Sequence, residues 1–162
     1  INIVTDGLPA LALSVDPYPK GVMQQPPRKK GEPLMNRTTM FNVLAVAVLI
    51  TAGVLGAFTW GLQIYDVVHA QTLAFATLIV MELVRVYVVR ADARIPTFSN
   101  LWLLGAVLVS VIAMLAVIYT PLSIAFHTTA LNLKDWGVVA GITFVVSAIS
   151  VLIVRIRHHS GK

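Results

Sequence analysis

The stretch Asn2-Ile3-Val4-Thr5-Asp6-Gly7-Leu8-Pro9 places three oxygen-bearing side chains in an otherwise apolar segment. Asn2, Thr5 and Asp6 stand at i, i+3 and i+4, so on a helix they share one face. Their amide, hydroxyl and carboxylate oxygens are ligands that hard cations prefer. Gly7 and Pro9 weaken the helical hydrogen-bond ladder and should free backbone carbonyls beside that face. The stretch therefore predicts a cation site on a broken helix, an arrangement that a membrane tolerates only beside a cavity or an ion.

The same residues have a second interpretation. Asn, Thr and Asp are good helix caps, so the cluster could simply open an ordinary helix. The pattern alone leaves both possibilities open. Because Ile1 is not an initiator methionine, we also expect the chain to begin inside a longer polypeptide.

The composition predicts an integral membrane protein. Hydrophobic residues make up 57% of the chain and charged residues only 12%, with a mean hydropathy of +0.84. A soluble protein of this size would not have such a composition. The net charge of +5 is typical of the cytoplasmic loops of membrane proteins and does not by itself indicate nucleic-acid binding. The absence of cysteine excludes disulfides, cysteine-ligated metals and thiol catalysis from this chain.

Four long apolar stretches predict an all-α, polytopic membrane helix bundle. Each is about long enough to cross roughly 30 Å of hydrocarbon. The predicted order is an opening helix end with the polar motif (1–15), a cytoplasmic Pro-rich basic loop (16–39), spans at 40–64 and 70–90, a cytoplasmic loop (91–100), a span at 101–119, an extracytoplasmic loop (120–135), a span at 136–156 and a cytoplasmic tail (157–162).

Basic residues predict the orientation of the bundle. If the 16–39 loop is in the cytoplasm, only Lys134 of the 12 Lys and Arg residues falls on the extracytoplasmic side. Arg85 lies within a span. This asymmetry places the C-terminus in the cytoplasm, and we expect the plasma membrane as the location. His158 and His159 are adjacent, so they do not face each other on a helix, and they are interpreted as part of a solvated tail rather than a metal site.

Small residues mark a close helix contact on the first span. Gly53, Ala57 and Gly61 recur at every fourth position. Such a stripe allows a neighbouring helix to approach closely.

Glu82 and Arg85 lie inside the apolar body of the second span. An ionisable side chain there is costly and is by default a candidate functional residue. Arg85 follows Glu82 at i+3 and shares its helix face. In one interpretation Arg85 reaches the cytoplasmic interface, since Arg90 is only about 7 Å further along the helix. In the other it pairs with Glu82 and substitutes for an ion, because a permanently charged guanidinium repels a divalent cation at low dielectric.

Several fragments together resemble the calcium-pumping P-type ATPases, in particular the sarco/endoplasmic reticulum calcium pump family. The first is Asn-x-x-Thr-Asp-Gly-x-Pro at 2–9, which resembles the sixth membrane helix of that family. The others are Pro26-Pro27-Arg28 in the following loop, Met81-Glu82 on the eighth helix, Arg94-Ile95-Pro96 with Ser99 to Gly105 at the ninth helix, and Tyr119-Thr120-Pro121-Leu122 with Ala130 to Leu133 before the tenth. The resemblance covers essentially the whole chain, as the end of helix six plus helices seven to ten.

The resemblance implies roles for individual residues. Asn2, Thr5 and Asp6 would be calcium ligands, with Asp6 able to bridge two ions, and Glu82 would help to bind one of them. Arg85 departs from the animal two-site pumps, which carry an uncharged residue at that position. In the interpretation in which Arg85 substitutes for an ion, one ion rather than two would be transported per cycle, bound by Asn2 and Asp6.

The function implied is that of the membrane part of an ATP-driven pump that exports calcium from the cytoplasm. Its partners would be the lipid bilayer and the remaining membrane helices and soluble domains of the same pump. Those domains would bind ATP and Mg²⁺, since this chain has no Gly-rich phosphate loop. No nucleic acid is expected. The alternatives are a sodium-, potassium- or proton-transporting P-type ATPase, or a structural membrane anchoring domain with Glu82 and Arg85 as an ion pair.

Overall fold

The fold is a bundle of helices. The computed structural model describes residues 2–18, 37–92, 95–96 and 99–160, and all regular elements in these ranges are helices. They are α1 (Asn2–Leu13), α2 (Arg37–Ile64), α3 (Val67–Asp92), α4 (Leu101–Tyr119), α5 (Leu122–Phe126) and α6 (Leu133–Ser160). The helices α2, α3, α4 and α6 are long and apolar enough to cross a membrane. The prediction of an all-α, multi-pass membrane bundle is therefore confirmed.

Some sequence predictions concern residues outside the described ranges. They include most of the 16–39 loop with its Pro26-Pro27-Arg28 fragment, and Arg94. The side chains of Asn2, His158 and His159 also lie outside the described part of the chain.

Hydrogen-bonding side chains determine where two of the long helices begin. The side-chain carbonyl of Asn100 accepts a hydrogen bond from the backbone N–H of Leu103 at 3.0 Å, which caps α4. At α6, the side-chain carbonyl of Asn132 accepts from the N–H groups of Lys134 and Asp135. The carboxylate of Asp135 in turn accepts from the Asn132 N–H at 2.8 Å. This reciprocal arrangement is that of a capping box, and it begins α6 at Leu133.

Helix α3 is the centre of the bundle. It contacts α1, α2, α4 and α6, whereas α1 packs mainly on α4. Burial of apolar side chains where these helices meet forms one core. The buried core residues are Ala57, Leu73, Ala76, Ile79, Leu83, Met114, Ile118, Leu131 and Val139.

The small-residue stripe of α2 faces α3; the sequence predicted a close helix contact there but not which helix makes it. Ala57 is fully buried. A Cβ added at Gly61 would lie 2.9 Å from the Cα of Ala70 on α3. At Gly53 an added Cβ would meet the Met81 side chain of α3 at 2.6 Å. Only small residues therefore allow α2 to approach α3 at this distance.

A polar cluster joins the first turns of α3 and α6. His69 Nε2 lies 2.9 Å from the fully buried carboxylate of Asp135. The ring of Tyr65 stacks on His69 with ring centroids 3.9 Å apart. The Tyr65 hydroxyl accepts a hydrogen bond from the Asn132 amide at 3.0 Å. These contacts close the end of the bundle that lies opposite the α1 C-terminus.

Candidate cation site between α1 and α3

Helix α1 presents the polar motif from a helix with an internal proline. The helix has 12 residues and includes Pro9. Proline has no N–H, so the Thr5 carbonyl four residues earlier lacks its helical donor. Ser110, which is fully buried on α4, donates a hydrogen bond from its hydroxyl to that carbonyl at 3.3 Å. The neighbouring helix therefore compensates for the break in α1.

The two carboxyl groups predicted as ligands meet at one cavity. Asp6 on α1 and Glu82 on α3 line this cavity together, and their carboxyl groups interact. The cavity has a volume of about 160 Å³. Its lining residues are Thr5, Asp6, Pro9, Ala10, Leu13, Glu82, Leu83 and Val86. Folding thus brings Glu82 to the same cavity as Thr5 and Asp6, although Glu82 follows Asp6 by 76 residues in the sequence.

Burial differs between the members of this group. Thr5 is 1% exposed, whereas Asp6 is exposed in this chain. Glu82 is partly buried, and its Oε2 atom is fully buried without a hydrogen-bond partner among the described residues. A buried carboxylate oxygen without a partner is costly. Two carboxylates in contact also repel each other unless a proton or a cation lies between them. The arrangement can hold a proton or a hard cation.

Arg85 and Glu82 line different cavities beside α3. Arg85 lines a small cavity, of about 10 Å³, together with Met81 of α3, residues of α2, and Ser147 and Ser150 of α6. It is not among the residues that line the Asp6–Glu82 cavity. Arg85 is therefore near the carboxyl pair along α3 but is directed towards α2 and α6. Its role as a substitute for an ion stays a prediction.

The described residues contribute only part of a coordination sphere. Within them, no group of three or more His, Cys, Asp or Glu side chains converges. The two carboxylates and the neutral oxygen of Thr5 are the predicted ligands whose side chains are described, and the Asn2 backbone lies on the same helix one turn earlier. Calcium takes six to eight oxygen ligands, so further ligands would have to come from elsewhere.

A polar network built on the buried Arg90 and Asn100 fixes the C-terminal end of α1 (the Arg90 network: Asp16, Arg90, Ser99 and Asn100). Arg90 at the end of α3 is 2% exposed and donates from Nε to Asp16 Oδ2 at 2.9 Å. It also donates from Nη2 to the Ser99 hydroxyl at 2.9 Å. The side-chain amide of Asn100 donates to Asp16 Oδ1 and to the Ala12 carbonyl, both at 2.8 Å. Three segments, the ends of α1 and α3 and the start of α4, are thereby joined.

Sequence reasoning missed Ser110 and the Arg90 network. Pro9 inside a helix was a usable signal for Ser110, because a proline leaves the carbonyl four residues earlier without a donor. Asp16 and Arg90 are 74 residues apart in sequence. No local pattern indicates such a pair, and only the packing of α1 beside α3 and α4 reveals it.

Comparison with known proteins gives the family of this chain. Membrane-length helices with carboxylates from two helices at a shared cavity define a class, the polytopic membrane proteins that carry ionisable groups for transport. More specifically, the chain belongs to the cation-transporting ATPases and matches the model of their C-terminus over residues 1–157. The C-terminal membrane region of a P-type ATPase, predicted from the sequence motifs, is confirmed.

A curated relative shows how large a part of a whole protein this chain represents. The chain is 38% identical over 151 residues to the protein named calcium-transporting ATPase of Bacillus subtilis (strain 168). The alignment covers 90% of this chain but 17% of the relative. The chain thus spans about a sixth of the length of that relative.

Proposed function

We propose that this chain is the membrane part of an ATP-driven pump that exports calcium from the cytoplasm. Asp6 and Glu82 would be its charged ligands, and Asn2 and Thr5 its neutral ones. The observation that carries the proposal is the contact between the Asp6 and Glu82 carboxyl groups at one cavity, with a buried Glu82 oxygen left without a partner. A cation between the two carboxylates would remove both their repulsion and the cost of the unpaired oxygen.

Calcium suits this donor set better than magnesium. Calcium accepts many oxygen ligands in flexible geometry, including carboxylates and neutral oxygens, whereas magnesium dehydrates reluctantly and requires near-ideal octahedral geometry. The relative named as a calcium-transporting ATPase supports the same choice. The missing ligands would come from the other membrane helices of the parent pump, which are the main partners of this chain.

Energy for transport would come from the soluble domains of the parent protein, which would bind ATP and Mg²⁺. The family resemblance implies that phosphorylation there moves the membrane helices and changes the affinity and exposure of the carboxylate site. The end of the bundle with the Arg90 network would face the cytoplasm, as would the C-terminus, because the basic loops lie on that side. The pump would reside in the plasma membrane.

Arg85 would limit the pump to one calcium ion per cycle. Its guanidinium is permanently charged and follows Glu82 by one helical turn. A positive charge there opposes a second divalent ion near Glu82. To test this, ions transported per ATP would be counted in the parent pump and in its Arg85→Met variant. One ion in the wild type supports the proposal, and two ions in both forms would overturn it.

The proposed function is tested by calcium-dependent ATP hydrolysis of the parent pump. Asp6→Asn and Glu82→Gln keep the size of each side chain and remove its charge. We expect both variants to lose calcium stimulation, because neutral amides cannot neutralise the ion. Asp66→Asn is the matched control. Asp66 is exposed, accepts a hydrogen bond from the His69 N–H at the start of α3, and asparagine caps a helix equally well.

Two other outcomes would correct the proposal. If sodium, potassium or protons stimulate the wild type and calcium does not, the ion is wrong. If both carboxylate variants keep calcium stimulation and lose only thermal stability, the polar motif is structural, as in a membrane anchoring domain.

A further inference from the structure

We infer that Arg90 is a positioning residue for the cation site, which acts by holding the ligand-bearing helix α1 against α3 through Asp16 and Asn100. Since Asp6 and Glu82 are ligands only under the proposed function, the inference depends on that function. Arg90 itself does not line the Asp6–Glu82 cavity.

Helix α1 depends on few contacts for its position relative to α3. It packs mainly on α4 and touches α3 much less. The carboxyl contact between Asp6 and Glu82 is one direct link between the two helices. The Arg90–Asp16 ion pair, at 2.9 Å, is a second. Removing the ion pair would leave the distance between the two carboxylates to be determined by apolar packing and by their own repulsion.

The network is close enough to the carboxylates to control their separation. Along α1, six residues separate Ala12 from Asp6, which is about 9 Å of helix. Along α3, eight residues separate Glu82 from Arg90, which is about 12 Å. Both connections are continuous α-helix, except for the α1 backbone beside Pro9, which Ser110 supports. A displacement at Ala12, whose carbonyl Asn100 binds, is therefore transmitted to Asp6 over less than two turns of helix.

The chemistry of the network favours a fixed geometry. Arg90 uses Nε and Nη2 to contact two different segments, Asp16 and Ser99. The planar guanidinium holds these partners in a defined orientation, which an ammonium group cannot do. Asn100 binds the second Asp16 oxygen and the Ala12 carbonyl. Because Arg90 and Asn100 are buried, they are shielded from water that could replace their hydrogen bonds.

The test is direct binding of radioactive calcium to the purified parent pump, together with calcium activation of its ATPase. Arg90→Gln should raise the calcium concentration for half-maximal binding about tenfold, the low end of the loss seen when a direct partner of a metal ligand is removed, because Arg90 acts on the ligands only through Asp16 and α1. The maximal ATPase rate per folded molecule should change much less. Arg90→Lys, which keeps the charge without the planar fork, should give an intermediate value. Arg37→Gln, at an exposed arginine at the start of α2, is the control and should bind calcium as the wild type does.

The outcomes separate this inference from a purely structural role and from failure of the proposed function. A lower yield or maximal rate with unchanged calcium affinity in Arg90→Gln would overturn the inference. If Arg90→Gln does not give folded protein, Asp16→Asn decides by the same measurement, and wild-type affinity in that variant would overturn it. Asp6→Asn is measured in parallel. If that variant also binds calcium normally, the proposed function fails; if it alone loses binding, only the positioning role of Arg90 is wrong.

Discussion

Substitution of Gly61 by alanine tests the closest contact between two membrane helices. A Cβ at this position would lie 2.9 Å from the Cα and 3.1 Å from the Cβ of Ala70. Carbon atoms in good contact are about 3.5–4.0 Å apart, so α2 and α3 would have to separate by roughly 0.5–1 Å. The Ala70 atoms belong to the backbone and to a side chain without rotamers, so they cannot move alone. Overpacking of this kind costs about 1–3 kcal/mol.

Gly56→Ala on the same helix is the matched control, because a Cβ added there meets nothing within 4 Å. Both substitutions gain the same helix propensity, about 1 kcal/mol in favour of alanine. The difference between the two variants therefore isolates the packing cost. The assay is the midpoint of thermal unfolding of the parent pump in one detergent at one protein concentration. We expect Gly61→Ala to unfold at a lower temperature than Gly56→Ala. Equal midpoints would show that α3 does not approach α2 at Gly61.

Two further substitutions test contacts between other helices. His69→Ala should lower the unfolding midpoint by an amount corresponding to about 1–3 kcal/mol, because the fully buried Asp135 loses a donor; an unchanged midpoint would contradict the pairing. Ser110→Ala should cost about 1 kcal/mol through loss of the hydrogen bond to the Thr5 carbonyl. The Pro9→Ala substitution restores a backbone N–H that can bind the Thr5 carbonyl. In that background Ser110→Ala should therefore lower the free energy of unfolding by less. Equal losses in both backgrounds would show that Ser110 does not compensate for Pro9.

The number and class of the helices could be predicted from the sequence because hydrocarbon imposes a length and an apolar composition on each span. The stripe at Gly53, Ala57 and Gly61 was likewise predictable, since small residues at every fourth position have one main use in a membrane helix. The side of α2 that α3 covers follows directly from that stripe. The candidate ligands Thr5, Asp6 and Glu82 could be named because polar groups inside apolar helices are rare and costly.

The sequence by itself determined that this chain is a multi-pass helical membrane protein, and which oxygen-bearing residues it places in the bilayer. Only the tertiary structure decided that Asp6 and Glu82 share one cavity, that Arg85 faces α2 and α6, and that Arg90 joins α1 to α3 and α4. The physical reason is that burial in lipid acts on each helix separately and is recorded in local periodicity. Pairing between helices depends instead on how the packed helices are rotated and displaced along their axes. Asp16 and Arg90, which are 74 positions apart, therefore carry no local signal of their contact.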